Sequence, residues 1–495
     1  MLKTLSGWGL GVLAPSRGSL HNERWPFSSS YHATSAQGHI MRRFLSAFVV
    51  SAVLLSMVGV LTAADDCAST PASIATGATT SETTASAPAK WFRGNTHCHS
   101  FWSDGDEFPE MVADWYKSHG YDFLVLTDHS RLMRGEEWKT IHDKKRPIPE
   151  ATIQKCRKRF GDGWVVTRGD GEKAQVRLKT FDEVRRAVND PNRFLLIQGQ
   201  ELNTNWKEHQ VHACGLNMVD SLASGKGDSA VGTMRLHIEA IQRQSVRAAR
   251  PMVAQMNHPT WPDYPISAED LAQSIETRHF EICNASPGIR SLGDKSHLSA
   301  SQLWDAANTL RIAKYRQPPL LCIASDDTHN YQTFGPHQAN PGRGFVMVHA
   351  KSLEANAIAS AMNRGDYYAS TGVVLRRVEY NPAKRSLTVA VEPAAGAHCT
   401  IDFIGTQHDY DAATTTASTP TPDGKIVRPV TKYSADVGKV LKSVQGEEAS
   451  YVLTGKELYV RAWIRSDKKM ANPAAGEAQN QEAWTQPVGW EKWVK

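Results

Sequence analysis

Asn95-Thr96-His97-Cys98-His99-Ser100, followed by Ser103-Asp104-Gly105, sets two imidazoles two residues apart at the end of an apolar stretch. In an extended segment alternate side chains share a face, so His97 and His99 point one way and Cys98 the other. Two imidazoles on one face at a strand end make a metal clamp, and Asp104 follows on the outgoing loop. The pattern recurs. The apolar run at 124–126 leads to Asp128 and His129, the run at 195–200 to Glu201, and the run at 252–256 to Asn257, His258 and Pro259. The run at 321–325 leads to Asp326, Asp327 and His329, with Asp327 and His329 again two apart. One such pair is equally well explained by ordinary hydrogen bonding. Five strands that each deliver ligand-type side chains at their C-terminal ends are not, because burying so many ionisable groups together without a cation is costly.

The chemistry implied is that of divalent cations. Imidazole and carboxylate donors suit Zn²⁺, Mn²⁺ or Fe²⁺. A water shared by two such ions ionises near neutral pH and can attack a phosphoryl or carbonyl group. No Ser or Cys nucleophile is required, so Ser100 and Ser325 read as turn or capping residues. Arg131, Arg134 and Arg343 lie in loops that could face the mouth and hold a phosphate, with Arg343 the first choice.

These residues need a scaffold that brings strand ends together. From Trp91 to about Gly372, apolar runs at 92–97, 123–127, 194–200, 252–256, 280–284, 321–325 and 344–348 alternate with helical patterns, which predicts a mainly parallel α/β architecture. In such folds active sites gather at the C-terminal ends of the strands. A helix is expected after the first motif: Pro109 suits its first turn, Val112, Trp115, Tyr116 and His119 share a face, and Gly120 ends it. His119 is therefore expected to pack on that apolar face. Residues 131–190 are charged and only partly helical, at 181–188, and read as an insertion over one end of the sheet. After Gly372, short alternating strands at 373–380, 386–391, 399–404, 450–454 and 457–464 predict an antiparallel, sandwich-like C-terminal domain over 376–495.

Taken in order, His-x-His with Ser-Asp-Gly, Thr-Asp-His, Gly-x-Glu, a downstream His, Asn-His-Pro and Asp-x-His resemble the polymerase and histidinol phosphatase (PHP) superfamily. Ser325-Asp326-Asp327-Thr328-His329-Asn330 and the Gly-Asp-Tyr-Tyr-Ala-Ser-Thr-Gly segment at 365–372 are similar to its branch of carbaryl-hydrolase-like metallohydrolases. The likeness spans roughly residues 90–375. It implies a distorted (β/α)7 barrel, over 91–375, holding two or three divalent metal ions. It implies that His97, His99, Glu201 and Asp327 surround one ion. Glu201 would bridge to a second ion held by His212 and His258, and Asp104, His129 and His329 would take a third. Some members carry His where this chain has Asp104. His209 competes with His212, which opens the strand-like run 211–216. Asp326 competes with Asp327, but pleating puts Asp327 on the face of His329 and leaves Asp326 a structural hydrogen bond. Asp128 is expected to orient a ligand from behind. Glu201, Asp327 and Arg343 are the expected catalytic residues.

Composition narrows the rest. The chain of 495 residues is 41% hydrophobic and 22% charged, long enough for two units with a large core. Its formal charge of +5 sits at the front: residues 1–64 carry five Lys/Arg and one Glu, leaving 51 basic and 50 acidic residues beyond them. A near-neutral body gives no electrostatic case for a nucleic-acid partner. The seven Cys are scattered without a CxxC pair, so neither a zinc ribbon nor a disulfide framework is indicated. Met41-Arg42-Arg43, the apolar run 44–61 and small residues 62–64 have the layout of a secretory signal peptide. Export to the periplasm or outside the cell is therefore expected, with membrane attachment only if the leader stays uncleaved. The Ala/Ser/Thr-rich stretch 65–90 reads as a disordered tether.

Three functions fit. A phosphoesterase acting on a small-molecule phosphoester leads, since that is what the resembled superfamily mostly cleaves. Hydrolysis of a carbamate or carboxylic ester, which the branch permits, would use the same nucleophile. A secreted binding protein with a retired barrel would instead rely on C-terminal aromatics such as Trp463, Trp484, Trp490 and Trp493, for which core packing is the simpler role. Loss of ligands would favour that last reading, and all nine candidate positions hold competent residues.

Overall fold

The computed structural model describes residues 88–207, 209–261, 266–294, 297–417 and 429–494, all inside one compact unit, Glu82–Lys495. The expected signal segment 41–64 and nearly all of the 65–90 tether lie outside the described residues. Among the described residues no helix is long and apolar enough to cross a membrane.

The main sheet contains β1 (Lys90–Asn95), β2 (Phe123–Leu126), β3 (Leu195–Trp206), β4 (His209–Leu216), β5 (Val253–Met256), β6 (His279–Asn284), β7 (Leu321–Ser325), β8 (Phe345–Ala350) and β9 (Tyr367–Ser370). It continues through β10 (Cys399–Gln407), β11 (Lys439–Gln445), β12 (Glu457–Lys469) and β13 (Asn480–Thr485). The strand order is β7-β6-β5-β4-β3-β2-β1-β8-β9-β13-β12-β10-β11. Neighbours β1, β2 and β3 are parallel, as are β5, β6 and β7, while β4 runs against both β3 and β5. The expected runs lie on these strands, with β3 longer than 194–200 because it turns back into β4 as a hairpin, Trp206 facing His209.

Alternation decides which face each strand buries. Phe92, Phe123, Val125, Ile197, Leu216, Val253, Ile323, Val346 and Val348 form one shared core, plugged by Ile358, Ala361 and Met362 of the helix Ala355–Arg364. Each aliphatic side chain so buried contributes about 1.5–3 kcal/mol. Met234, Ile238 and Ile241 of the helix Ala230–Arg247, with Trp304 of Ala300–Ala313, cover the outer face.

Among the described residues no strand ladder joins β7 to β1, so strand pairing alone does not make the ring expected of a seven-stranded barrel. β8 pairs antiparallel with β1 from Lys90 to Gly94 and occupies the edge that β7 would need. Closure occurs only beyond the strand tips, where His99 N donates to Thr328 O and Asp327 N donates to His97 O, each at 2.9 Å.

Three further expectations change. The C-terminal region is not set apart by a break in the sheet, because β9 pairs with β13 and the ladder runs on. A second layer of Leu375–Asn381, Ser386–Val391 and Glu448–Val452 packs Leu387 and Val389 in the same core as Ile401, Phe403 and Ile464. The insertion is more regular than its charge suggested. It holds a helix, Glu150–Phe160, and a three-stranded antiparallel sheet of Glu137–Thr140, Thr167–Arg168 and Gln175–Leu178, whose apolar residues are too few to show a period. The helix after the first motif spans Pro109–Ser118 and buries Val112 and Tyr116. His119, expected against an apolar face, is exposed at its C-terminus and stacks on Trp115 at 3.9 Å.

Candidate metal centre

All nine side chains named from the sequence as ligands meet at one end of the sheet. Glu201 is the hub. Its Oε1 lies 3.2 Å from His97 Nε2, 3.3 Å from His212 Nδ1 and 3.7 Å from His258 Nε2. Its Oε2 lies 2.7 Å from His129 Nδ1 and 3.5 Å from His99 Nε2. Asp327 Oδ1 stands 3.2 Å from His97 Nε2, 3.1 Å from His99 Nε2 and 3.7 Å from His329 Nδ1. Asp104 Oδ1 is 3.5 Å from His129 Nε2 and 3.3 Å from His329 Nε2.

The donor atoms fall into three overlapping groups: His99, Asp104, His129 and His329; His97, His99 and Glu201; and His129, Glu201 and His212. His99 and His129 each belong to two groups, which is more sharing than the resemblance implied. Depth differs as well. His97, His99 and Glu201 are wholly buried, whereas the side chains of Asp104, His129 and His329 are each about a quarter exposed and form the mouth.

Several ligands sit where strand pleating alone would not put them. β1 and β7 end at Asn95 and Ser325, so His97, His99, Asp327 and His329 are carried by the crossing segments past the tips. Asp327 has φ 49° and His258 φ 27°, left-handed conformations that cost a non-glycine residue of order 1–3 kcal/mol. Each is held by its own backbone N–H, Asp327 on His97 O and His258 on Glu281 Oε2 at 2.6 Å. Gly105 lets the loop bearing Asp104 return against the His99 backbone; a Cβ there would stand 2.5 Å from His99 O. His212 reaches the cluster because β4 runs backwards, so its beginning lies beside the tips of the parallel strands. His209 pairs with Trp206 at the far end of the hairpin instead.

Behind the ligands stands a ring of supports. Glu281 Oε1 meets His97 Nδ1 at 2.8 Å and accepts from Gln255 Nε2, while its Oε2 accepts from Asn284 Nδ2. Asn257 donates to Glu201 Oε1 at 2.6 Å, and Asn284 donates to Asp327 Oδ2 at 3.0 Å. Sequence reasoning missed Glu281; its signal was a carboxylate in the apolar run of β6. Asp128 accepts from Ser100 N, Ser100 Oγ and Ser103 Oγ, and Ser103 Oγ lies 3.4 Å from His99 Nδ1, so it acts on the ligand through the loop. Asp326 accepts from Tyr116 Oη and from the N–H groups of Gly342, Arg343 and Gly344, as a structural residue would.

Arg343, expected at the mouth, is not there. Its buried guanidinium donates to the carbonyls of Asn472, Ala285, Gln338 and Gly335, which leaves nothing for a substrate. Arg146, which sequence reasoning passed over in a run of basic residues in the insertion, stands at the mouth instead. Its Nη2 is 3.6 Å from Asp104 Oδ2 and its side chain is half-exposed.

The electrostatics are those of a site short of positive charge. Burial opposes ionisation of Glu201, yet His129, His97 and His212 hold its carboxyl well below the usual range. Asp327 is likewise held down against burial, by His97, His99 and His329. His97 moves the other way: burial would lower it, but Asp327, Cys214, Glu201 and Glu281 push it well above its ordinary value. Burial, with His329 and His129 alongside, pushes His99 well down, and burial takes His212 down to about 4. Even so, His97 Nε2, His129 Nδ1, His212 Nδ1, Glu201 Oε2 and Asp104 Oδ1 are buried and make no aligned hydrogen bond, close as they lie to one another. Buried polar atoms are nearly always satisfied. Five orphans facing one space, all of them imidazole nitrogens or carboxylate oxygens, fit divalent cations.

Fold and site together define a candidate multi-metal centre at the tips of an α/β sheet. No family model matches the chain, and no curated protein does. Among solved structures, it is similar to a two-domain protein from Bacteroides vulgatus described as containing a predicted PHP-like metal-dependent phosphoesterase. That likeness has 14% identity, covers 80% of this chain and 95% of the other, and has a TM-score of 0.36. A second, from Bifidobacterium adolescentis and named on prediction as a metal-dependent phosphoesterase, has 12% identity, covers 55% and 94%, and has a TM-score of 0.26. Overlaps this loose add nothing to the geometry.

Proposed function

We propose that the protein is a metal-dependent hydrolase of the PHP superfamily that cleaves a small-molecule phosphoester. The observation that carries this reading is the convergence of nine imidazole and carboxylate side chains, five of which bury a ligand atom that makes no hydrogen bond. His97, His99, Glu201 and Asp327 would hold a deep ion, Glu201, His212 and His258 a second, and Asp104, His129 and His329 one at the mouth. When bound, such ions supply a water acidified to near neutral pH and positive charge facing the attacked group.

The chain's own residues do the positioning. Glu281 and Asn257 fix the orientation of His97 and Glu201, so the donor atoms are aimed before any ion arrives. The mouth, between Asp104, His129 and His329, is where substrate enters. Arg146 is placed there to meet an anionic oxygen. The same donors would serve a carbamate or carboxylic ester. Export directed by residues 41–64 belongs to the same proposal, and N-terminal sequencing of the secreted protein tests it.

Metal content of the purified protein and assay on phosphomonoesters, phosphodiesters, aryl esters and carbamates test the function. Glu201→Gln should lose more than about 100-fold in turnover, beyond what a supporting residue costs, while melting as the parent does. A fully active Glu201→Gln protein would remove the bridging role.

A further inference from the structure

A second cavity, of about 200 Å³, lies where the C-terminal strands join the main sheet. It opens beside a larger surface cleft that shares Leu292, Trp463, Ala478 and Glu482 with it. Trp463 and Trp484 face each other across the β12–β13 ladder and both line the cavity, so their rings form one apolar wall. Two carboxylates, Glu477 and Glu482, complete it.

Neither carboxylate is neutralised by the wall. Glu477 accepts from the Ser291 N–H, at 3.3 and 3.1 Å on its two oxygens, and from the Arg290 backbone, and Glu482 Oε2 accepts Trp463 Nε1 at 3.2 Å. Arg343 is the one basic side chain among the described lining residues, and its guanidinium is spent on backbone carbonyls. Arg465, which lies over Trp463 outside this cavity, is bonded to Asp402. Burial pushes both glutamates up to about 7, outweighing the hydrogen bonds to Glu477 and the Trp463 hydrogen bond and Arg465 charge that act on Glu482. Burial and these same two carboxylates also push the Cys283 thiol well up, so both bear on one wall of the cavity. Trp484 is nine-tenths buried, and its Nε1 has no hydrogen-bond partner.

Two buried carboxylates that no lining cation pairs with, beside two indole side chains, are the chemistry that recognises an organic cation. We propose that this cavity binds a small organic ammonium ion, its head between Glu477 and Glu482 and its alkyl part against Trp463, Trp484 and Leu292. The inference stands apart from the hydrolase reading. It places a ligand next to the metal centre, however, because Asn284 lines the cavity and also donates to Asp327.

Calorimetric titration of the full chain at pH 8 with n-butylammonium, n-butanol and butyrate tests it, in metal-loaded and chelator-treated protein alike. Saturable binding of butylammonium alone is expected, with Glu482→Gln and Glu477→Gln each weakening it at least tenfold. The proposal is overturned if butylammonium does not saturate, if butanol binds equally, if binding vanishes on chelation, or if both variants bind like the parent. Should a variant fail to fold, the contrast between butylammonium and butanol on the unaltered chain still decides.

Discussion

Two buried charged regions of this protein solve the same problem in opposite ways. Between the helix Ala300–Ala313 and β12, Arg461 donates through Nε and Nη2 to both oxygens of Asp305, which also accepts from Tyr459 Oη, and the guanidinium lies over the Trp304 ring. That charge is balanced by the protein itself. At the strand tips, Glu201, Asp327 and Asp104 face six imidazoles, and five donor atoms make no aligned hydrogen bond. Burial of opposite charges together builds structure, while several orphaned imidazole and carboxylate atoms facing one space fit a site for cations.

The comparison is sharpest where a partner is removed. Arg461→Met should cost about 3–5 kcal/mol in urea unfolding, because it strands the Asp305 charge. Metal bound per folded chain should stay the same; unaltered stability would mean the pair is not the self-contained unit described.

Glu281→Gln should act in reverse. It touches no proposed ion, yet losing the acceptor behind His97 Nδ1 should weaken metal binding by about 10–100-fold with little change in melting temperature. Equilibrium dialysis reads this, and undiminished affinity would demote Glu281 to a packing residue.

The last effect, spread over several pH units, concerns His279, a buried imidazole outside the cluster with both nitrogens partnered, by Tyr367 Oη at 3.1 Å and Asn363 Oδ1 at 3.3 Å. Burial takes it down to about 3, below its unfolded value near 6.5. Its contribution to stability is therefore full above pH 6.5 and is lost as pH falls towards 3. His279→Gln should remove a slope of up to about 1.4 kcal/mol per pH unit across that window, read from urea midpoints. An unchanged slope would show that this imidazole does not titrate between the two states.

Much of the site is legible in sequence because ligand chemistry at strand ends is a local signal. His97 with His99, Asp128 with His129, Glu201, His258, and Asp327 with His329 each follow an apolar run that must be buried, so type and spacing suffice to collect them. Glu281 escaped because one carboxylate inside a strand carries no pattern; only the neighbour it faces reveals its role. Arg343 was misplaced for the same reason, since a loop arginine reads alike whether it meets solvent or backbone carbonyls.

What the residues determined on their own was the placing of the strands and the roster of side chains that meet at their tips, both properties of neighbours in the chain. The tertiary structure alone decided that β4 runs backwards to offer His212 over His209, that Asp327 and His258 adopt left-handed backbone, that β8 takes the free edge of β1, and that β9 carries the sheet into the C-terminal strands. Each of these depends on which distant segment supplies a hydrogen bond or occupies an edge, and such pairing between remote residues leaves no trace in local spacing.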